Sequence, residues 1–290
     1  MIKTSPECDD NVLPVPSGDS DVCAVQKDGS SLFIPHDRNP FSVNYTQPGS
    51  IPFFFESSFI QSIKKEYPGD YQNYFRRSFL NGEHLRTSIG LEFLADQFQR
   101  DNFSAQINGV HGSGKSTLLN ALERTLKNRG FHVFFWTLHD QQRQLPDGFW
   151  NKIHRFLKDV TSTQPADSSK KTLVGIVILD GFEQLSCANQ WFFRLFCRVS
   201  RLGILLSSHQ VCFGIPVLFK TTPTCETLQR IVRYLLDDVE FCYDGLNLKQ
   251  KMVASHQNIR DILFELYDEY ENHHVVEEHL NHPLIRRFPR

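Results

Sequence analysis

The sequence has no apolar run near the roughly 18 residues that a membrane-spanning helix needs. Its first residues carry Cys8-Asp9-Asp10 where a secretory signal would place an apolar core, so the expected compartment is the cytoplasm. Charge of one sign is also lacking: 31 Lys+Arg against 33 Asp+Glu leave a net charge of −2. No global field therefore draws the chain onto nucleic acid or an anionic membrane. Seven cysteines include no C-x-x-C pair, which argues against a zinc ribbon or a disulfide framework and for reduced, buried thiols. Methionine is scarce at 2 residues while phenylalanine reaches 25, so the core is expected to rest on aromatic packing. No internal repeat is present.

At 290 residues the chain is long enough for one sizeable α/β core with extensions. Residues 1–36 mix Pro, Ser, Asp and Gly without a period and read as a tail. Residues 37–100 open with an aromatic, proline-punctuated stretch ending in Pro52-Phe53-Phe54-Phe55, expected to lie extended over the core as a strap. Helices are expected near 57–66 and 89–100. The core proper, 101–222, alternates short apolar strands (104–108, 132–138, 174–179, 203–207 and 216–220) with helical stretches near 117–128, 147–159 and 189–201. That alternation predicts a doubly wound, mostly parallel α/β sheet covered on both faces. Residues 223–290 read as a small helical lid and tail.

The strand Ser104-Ala105-Gln106-Ile107-Asn108 runs into Gly109-Val110-His111-Gly112-Ser113-Gly114-Lys115-Ser116, which meets G-x-x-x-x-G-K-[ST] in full. Each residue type has a physical reason. Glycines let backbone N–H groups wrap a polyphosphate, the helix that follows adds a favourable dipole, and the lysine reaches the β and γ phosphates. Gly109, His111, Gly112, Ser113, Gly114 and Lys115 are the candidate phosphate contacts. Ser116 is placed to offer its hydroxyl to Mg²⁺, with Thr117 as a weaker contact.

A second acidic element follows. Val174-Gly175-Ile176-Val177-Ile178-Leu179 is apolar and closes on Asp180, the arrangement by which a central strand delivers a carboxylate beside the phosphate loop. Asp180 is the expected metal-side acid. Glu183, three residues on, is the candidate to orient or deprotonate an attacking water.

These segments resemble the additional-strand P-loop ATPases, the group that contains AAA+ and STAND proteins, over about residues 85–270. Gly109 to Ser116 looks like their Walker A motif, and Ile178-Leu179-Asp180-Gly181-Phe182-Glu183-Gln184 looks like the STAND form of Walker B. Ile204-Leu205-Leu206-Ser207-Ser208-His209 resembles the sensor strand, which implies a γ-phosphate contact from Ser208 first and His209 second. Asn258-Ile259-Arg260-Asp261 resembles the sensor-2 motif, which implies that Arg260 touches the phosphates. One departure stands out. Only Gln210 to Ile215 separate the sensor strand from the next, leaving no room for the helix that carries an arginine finger; Arg201, Arg230 and Arg233 could substitute, but each reads more simply as a helix-surface charge.

Near the C-terminus His273, His274, Glu277, Glu278, His279 and His282 cluster, but their spacing fits no zinc-protease pattern and they read as a solvated helix end. Guanine recognition is disfavoured because Asn151-Lys152-Ile153-His154 lacks the aspartate of N-K-x-D. The expectation is therefore ATP with Mg²⁺, hydrolysed slowly and coupled to lid movement in a regulatory role, with an unidentified protein partner. A small-molecule kinase and a non-hydrolysing nucleotide-binding module remain the alternatives.

Overall fold

The computed structural model describes residues 41, 50–77, 82–139, 141–163, 173–236 and 245–281. The expected tail 1–36 and most of the stretch before Ser50 lie outside them, as do His282 and the side chains of His273, His274 and His279. Three helices, α1 (Ser57–Glu66), α2 (Pro68–Arg77) and α3 (Gly82–Arg100), precede β1 (Ser104–Gly109). Then α4 (Lys115–Asn128), β2 (Val133–Thr137), α5 (Asp147–Thr163) and β3 (Gly175–Asp180) alternate. A short 3-10 turn (Phe182–Gln184) leads into α6 (Cys187–Val199), β4 (Leu202–Ser208) and β5 (Val217–Thr221). Helices α7 (Cys225–Leu235), α8 (Gly245–Ala254) and α9 (Ile259–Asn281) complete the described chain. None of the described helices is long and apolar enough to cross a membrane.

The five strands form one parallel sheet in the order β2-β3-β4-β1-β5. The predicted parallel, two-faced sheet is thus observed, and β4 is the strand interposed between β1 and β3. Every residue of β3 and β4 is buried, which a strand achieves only when both faces are covered. Alternate residues go to opposite sides. Ile176, Ile178 and Leu205 meet α4 and, through it, the N-terminal helices, whereas Val177, Leu179, Ile204 and Leu206 meet Phe149, Ile153 and Phe193 of α5 and α6. A third cluster, built by Leu228, Val232, Leu248, Met252, Ile262 and Leu266, holds α7, α8 and α9 together.

Helix α2 is an addition to the sequence reading, and α3 begins at Gly82 instead of near 89. Gly69, Asp70 and Asn73 are weak helix formers, so α2 depends on tertiary contacts. Asp70 accepts from Arg100 at 2.8 Å, and Tyr74 donates to Asp96 of α3. Arg129 at the end of α4 closes the same corner through Glu92 and Asp96.

The return from β4 to β5 passes over β1 in residues 209–216, without a helix. Parallel crossovers normally take a dozen or more residues and a helix. Gln106, fully buried in β1, makes the short path possible. Its Nε2 donates to Cys212 O at 2.9 Å and Ile215 O at 2.7 Å, while its Oε1 accepts from Cys212 N at 2.8 Å. A return with no ladder of its own thus has Cys212 and Ile215 held to β1 by one amide. Replacing that amide with an apolar group removes three hydrogen bonds to the return and leaves Cys212 O only its 3.4 Å bond from Ile215 N. Gln106→Leu is expected to lower stability by roughly 2–4 kcal/mol in urea denaturation. A loss below about 0.5 kcal/mol would show that the return is held by something else.

Candidate functional site

The carboxyl ends of β1, β3 and β4 open into a cleft of about 460 Å³, bordered by the strap, α7 and the start of α9. Between β1 and α4 the loop turns back at Gly112 and Gly114, whose φ of 67° and 89° are left-handed and favour glycine. Gly112 has a second constraint: a Cβ there would collide with Asn258 Oδ1 at the start of α9. Gly114 is the N-cap of α4 and supplies no capping side chain, so the first-turn N–H groups of α4 are left for a ligand.

Lys115 is buried, and its Nζ donates to Gly109 O at 2.8 Å and Val110 O at 2.7 Å. Burial holds its pKa below the ordinary lysine value, against the opposing pull of Glu183 and Asp180. Ser113 is tied to Val110 O at 2.7 Å and to Thr221 at 2.6 Å, which fixes the loop to β5. His111, Ser116 and Thr117 all border the cleft.

Asp180 ends β3 inside the cleft, and Ser207 Oγ donates to its Oδ1 while accepting from Gly181 N at 2.8 Å. A hydroxyl (Ser116) and an oriented carboxylate (Asp180) on one wall form an all-oxygen donor set suited to a hard divalent cation such as Mg²⁺. Glu183 lies on the 3-10 turn that follows. Its Oε1 sits 3.1 Å from His209 Nε2, while its buried Oε2 has no hydrogen-bond partner among the described residues. Burial raises its pKa above the ordinary carboxylate value, opposed by its own backbone N–H and by Lys115. A half-buried carboxylate with one uncommitted oxygen and a raised pKa has the properties of a general base.

Ser208 is corrected. It is fully buried and its Oγ bonds Gln210 O and Gln106 Oε1, away from the cleft. Side chains alternate along a strand, so Ser207 and His209 are the pair that faces the site. His209 spans it: Nε2 addresses Glu183, Nδ1 lies 3.2 Å from Lys115 Nζ and 3.0 Å from Gly109 O, and the ring stacks on His111 with centroids 3.6 Å apart. Arg260 also borders the cleft, on the first turn of α9, where Asn258 Oδ1 accepts from its backbone N–H at 3.1 Å.

Several cleft residues were missed in the sequence. Ser207 could have been found from strand parity. Ile51 and Pro52 of the strap, with Ile231 of α7 and Leu263 of α9, add apolar lining to the same cleft, and no local motif marks them. The strap is held there by Arg230, which is buried, donates to Phe55 O and lies over the Phe54 ring at 5.3 Å. It is not the surface charge that the sequence suggested. Ser57 reinforces the tie, donating from its N at 3.2 Å and Oγ at 2.6 Å to Glu226 Oε1.

The His209 pKa is held below the ordinary histidine value by burial, then by Lys115 and His111. The unfolded chain therefore takes up this proton first, and stability falls as pH drops from about 6.5 toward the folded value. Removing one depressing charge must raise it. In Lys115→Met the His209 pKa, followed by imidazole NMR, is expected to move upward; an unchanged titration would show that the Lys115 charge is not felt at the ring.

No protein-family model matches the chain, and no curated protein matches it in sequence. Among solved structures it is similar to AMPPCP-bound DnaA from Aquifex aeolicus, 20% identical over 67% of this chain and 63% of that one, with TM-score 0.39. It is also similar to the replication initiator DnaA bound to AMPPCP and single-stranded DNA, at 17% identity over 69% and 65% with TM-score 0.42. PCH-2 of C. elegans matches at 12% identity over 70% and 53% with TM-score 0.35. The chain spans less than two thirds of the length of each of these proteins. The likeness is one of outline, and the chemistry of the cleft stands on the residues of this chain.

Proposed function

We propose that this chain is a P-loop ATPase of the additional-strand, AAA+/STAND-like type that binds ATP with Mg²⁺ and hydrolyses it slowly to ADP and phosphate. The observation that carries this is convergence: Lys115, Asp180, Glu183 and Arg260, from four separate elements, border one cleft that Ile51, Pro52, Ile231 and Leu263 also line. In this reading the amides of Gly112 to Lys115 and the Lys115 ammonium hold the phosphates. Ser116 and Asp180 hold Mg²⁺, which when bound neutralises phosphate charge. Glu183 takes the proton of the attacking water, positioned by His209 through Oε1. Ile51, Pro52 and Ile231 supply apolar lining that would receive the base. The strap (37–100), the core (101–222) and the helical lid (223–290) act together as a switch, with Arg260 distinguishing ATP from ADP.

Lys115→Ala is expected to weaken ATP binding by about 1.5–3 kcal/mol, or roughly 10- to 150-fold, in calorimetry. Glu183→Gln is expected to leave ATP bound but to slow phosphate release by about 10²- to 10⁴-fold. Unchanged affinity in the first variant would remove the loop from the reading, and unchanged turnover in the second would remove Glu183. Phosphate release with and without candidate acceptors separates hydrolysis from kinase activity.

Arg260→Ala is expected to lower the preference for ATP over ADP by about 1–3 kcal/mol while ADP affinity changes little, because a charge-assisted contact to the γ phosphate exists only with ATP. Equal losses for both nucleotides would make Arg260 a general binding residue and leave the switch without its sensor.

A further inference from the structure

Where a crossover helix would ordinarily lie, the β4–β5 return has none, and apolar residues stand uncovered. Phe213 at the turn of this return is 95% exposed and Val211 is 65% exposed. The return runs on the α6 side of the sheet, since Ile215 and Cys212 pack with Phe193 and Cys197 of that helix. It is fastened there by Arg194, whose Nη1 donates to Phe213 O at 2.9 Å. Helix α6 contributes its own exposed row. Trp191, Leu195 and Val199 recur every four residues, so they share a helix face, and Trp191 and Val199 are 66% and 75% exposed. Its opposite face is already committed to the sheet through Phe193 and Cys197. A helix apolar on two faces is one that normally has something on both.

Charge narrows the occupant. From Cys187 to Arg201 the chain carries Arg194, Arg198 and Arg201 and no Asp or Glu. A second copy pairing face to face would set these arginines against their own equivalents, which costs free energy. A nucleic acid would match the charge and could stack on Trp191 or Phe213, but the aliphatic Leu195 and Val199 that share the face with them are covered only by apolar side chains, which a protein helix brings. The absent crossover helix leaves room for a helix, and the row from Trp191 to Val199 extends about 12 Å, matching two to three turns of a partner.

We propose that α6 and the 209–216 return form a docking face for an acidic amphipathic helix of a partner protein, seated where the crossover helix is missing. The partner's apolar stripe covers Trp191, Leu195, Val199 and Phe213, and its carboxylates meet Arg198 and Arg201. The face is coupled to the cleft: Gln190 of α6 donates from Nε2 to Leu185 O at 2.9 Å and Phe182 O at 3.4 Å, holding the turn that carries Glu183. Docking itself does not depend on the ATPase reading.

The test presents the immobilised full chain to a display library of helix-forming 18-residue peptides with randomised surface positions. Enriched peptides are expected to combine Asp or Glu with apolar residues at i, i+3 and i+4. In fluorescence anisotropy they should bind the wild type and lose at least tenfold in Trp191→Ser and in Arg198→Glu. Circular dichroism of each variant checks the fold, and Arg198→Glu, fully at the surface, preserves the test should Trp191→Ser misfold. Enrichment no higher than on bare matrix, enrichment of basic peptides, or binding indifferent to both substitutions would overturn the proposal. So would a single-stranded oligonucleotide whose binding Trp191→Ser abolishes, or a wild-type dimer in sedimentation that the same variant dissolves, each of which gives the face to a different occupant.

Discussion

A parallel sheet sends all of its strand ends to one edge, and a loop leaving that edge meets the loops of its neighbours. In this chain β4 separates β1 from β3, so the Gly109–Ser116 loop and the Asp180 carboxylate stand two strands apart with Ser207 and His209 between them. Everything in the cleft depends on that spacing. Were β3 beside β1, no residue of β4 would be available to orient Asp180 from one side and to reach Glu183 and Lys115 from the other. The register that fixes it is set by apolar alternation, because a slip of one residue would turn Ile178 and Leu179 onto the wrong faces.

That same parity explains what the sequence could and could not disclose. The loop from Gly109 to Ser116 was legible because backbone wrapping dictates residue type directly. Asp180 was legible because a carboxylate closing a buried apolar strand is costly to desolvate unless it has a partner to serve there. Ser208 was misjudged by a single residue: Ser207 and Ser208 end β4 and His209 follows it, and it is the alternation of side chains that turns Ser207 and His209, not Ser208, to the cleft. Helix α2 was invisible because its stability is borrowed from Arg100 and Asp96. Arg230 looked like a surface charge since the carbonyl it serves, Phe55 O, is 175 residues away in the chain. The apolar lining of the cleft is assembled from ordinary Ile, Pro and Leu residues of three distant segments, none of which carries a local signal.

Gln106 belongs to the same class of residue. A lone amide in a buried strand reads as a blemish in the pattern, yet it satisfies a return path that has no sheet or helix to satisfy it. The short return in turn leaves α6 bare on one side. A polar residue in β1 and an exposed tryptophan on α6 are therefore parts of one structural decision, made where the chain dispenses with a helix.

The close approach of Asn258 to Gly112 bears on how quickly the cleft can fill. The start of α9 rests on the loop's own backbone at Gly112, and the strap, tied to α7 by Arg230 and Glu226, borders the same space. On the proposed function a nucleotide in this cleft is flanked by both ties, so opening of the lid would precede capture. At high nucleotide concentration the rate of entry would then reach a ceiling set by that opening, and residence time would be governed by the same barrier read in reverse.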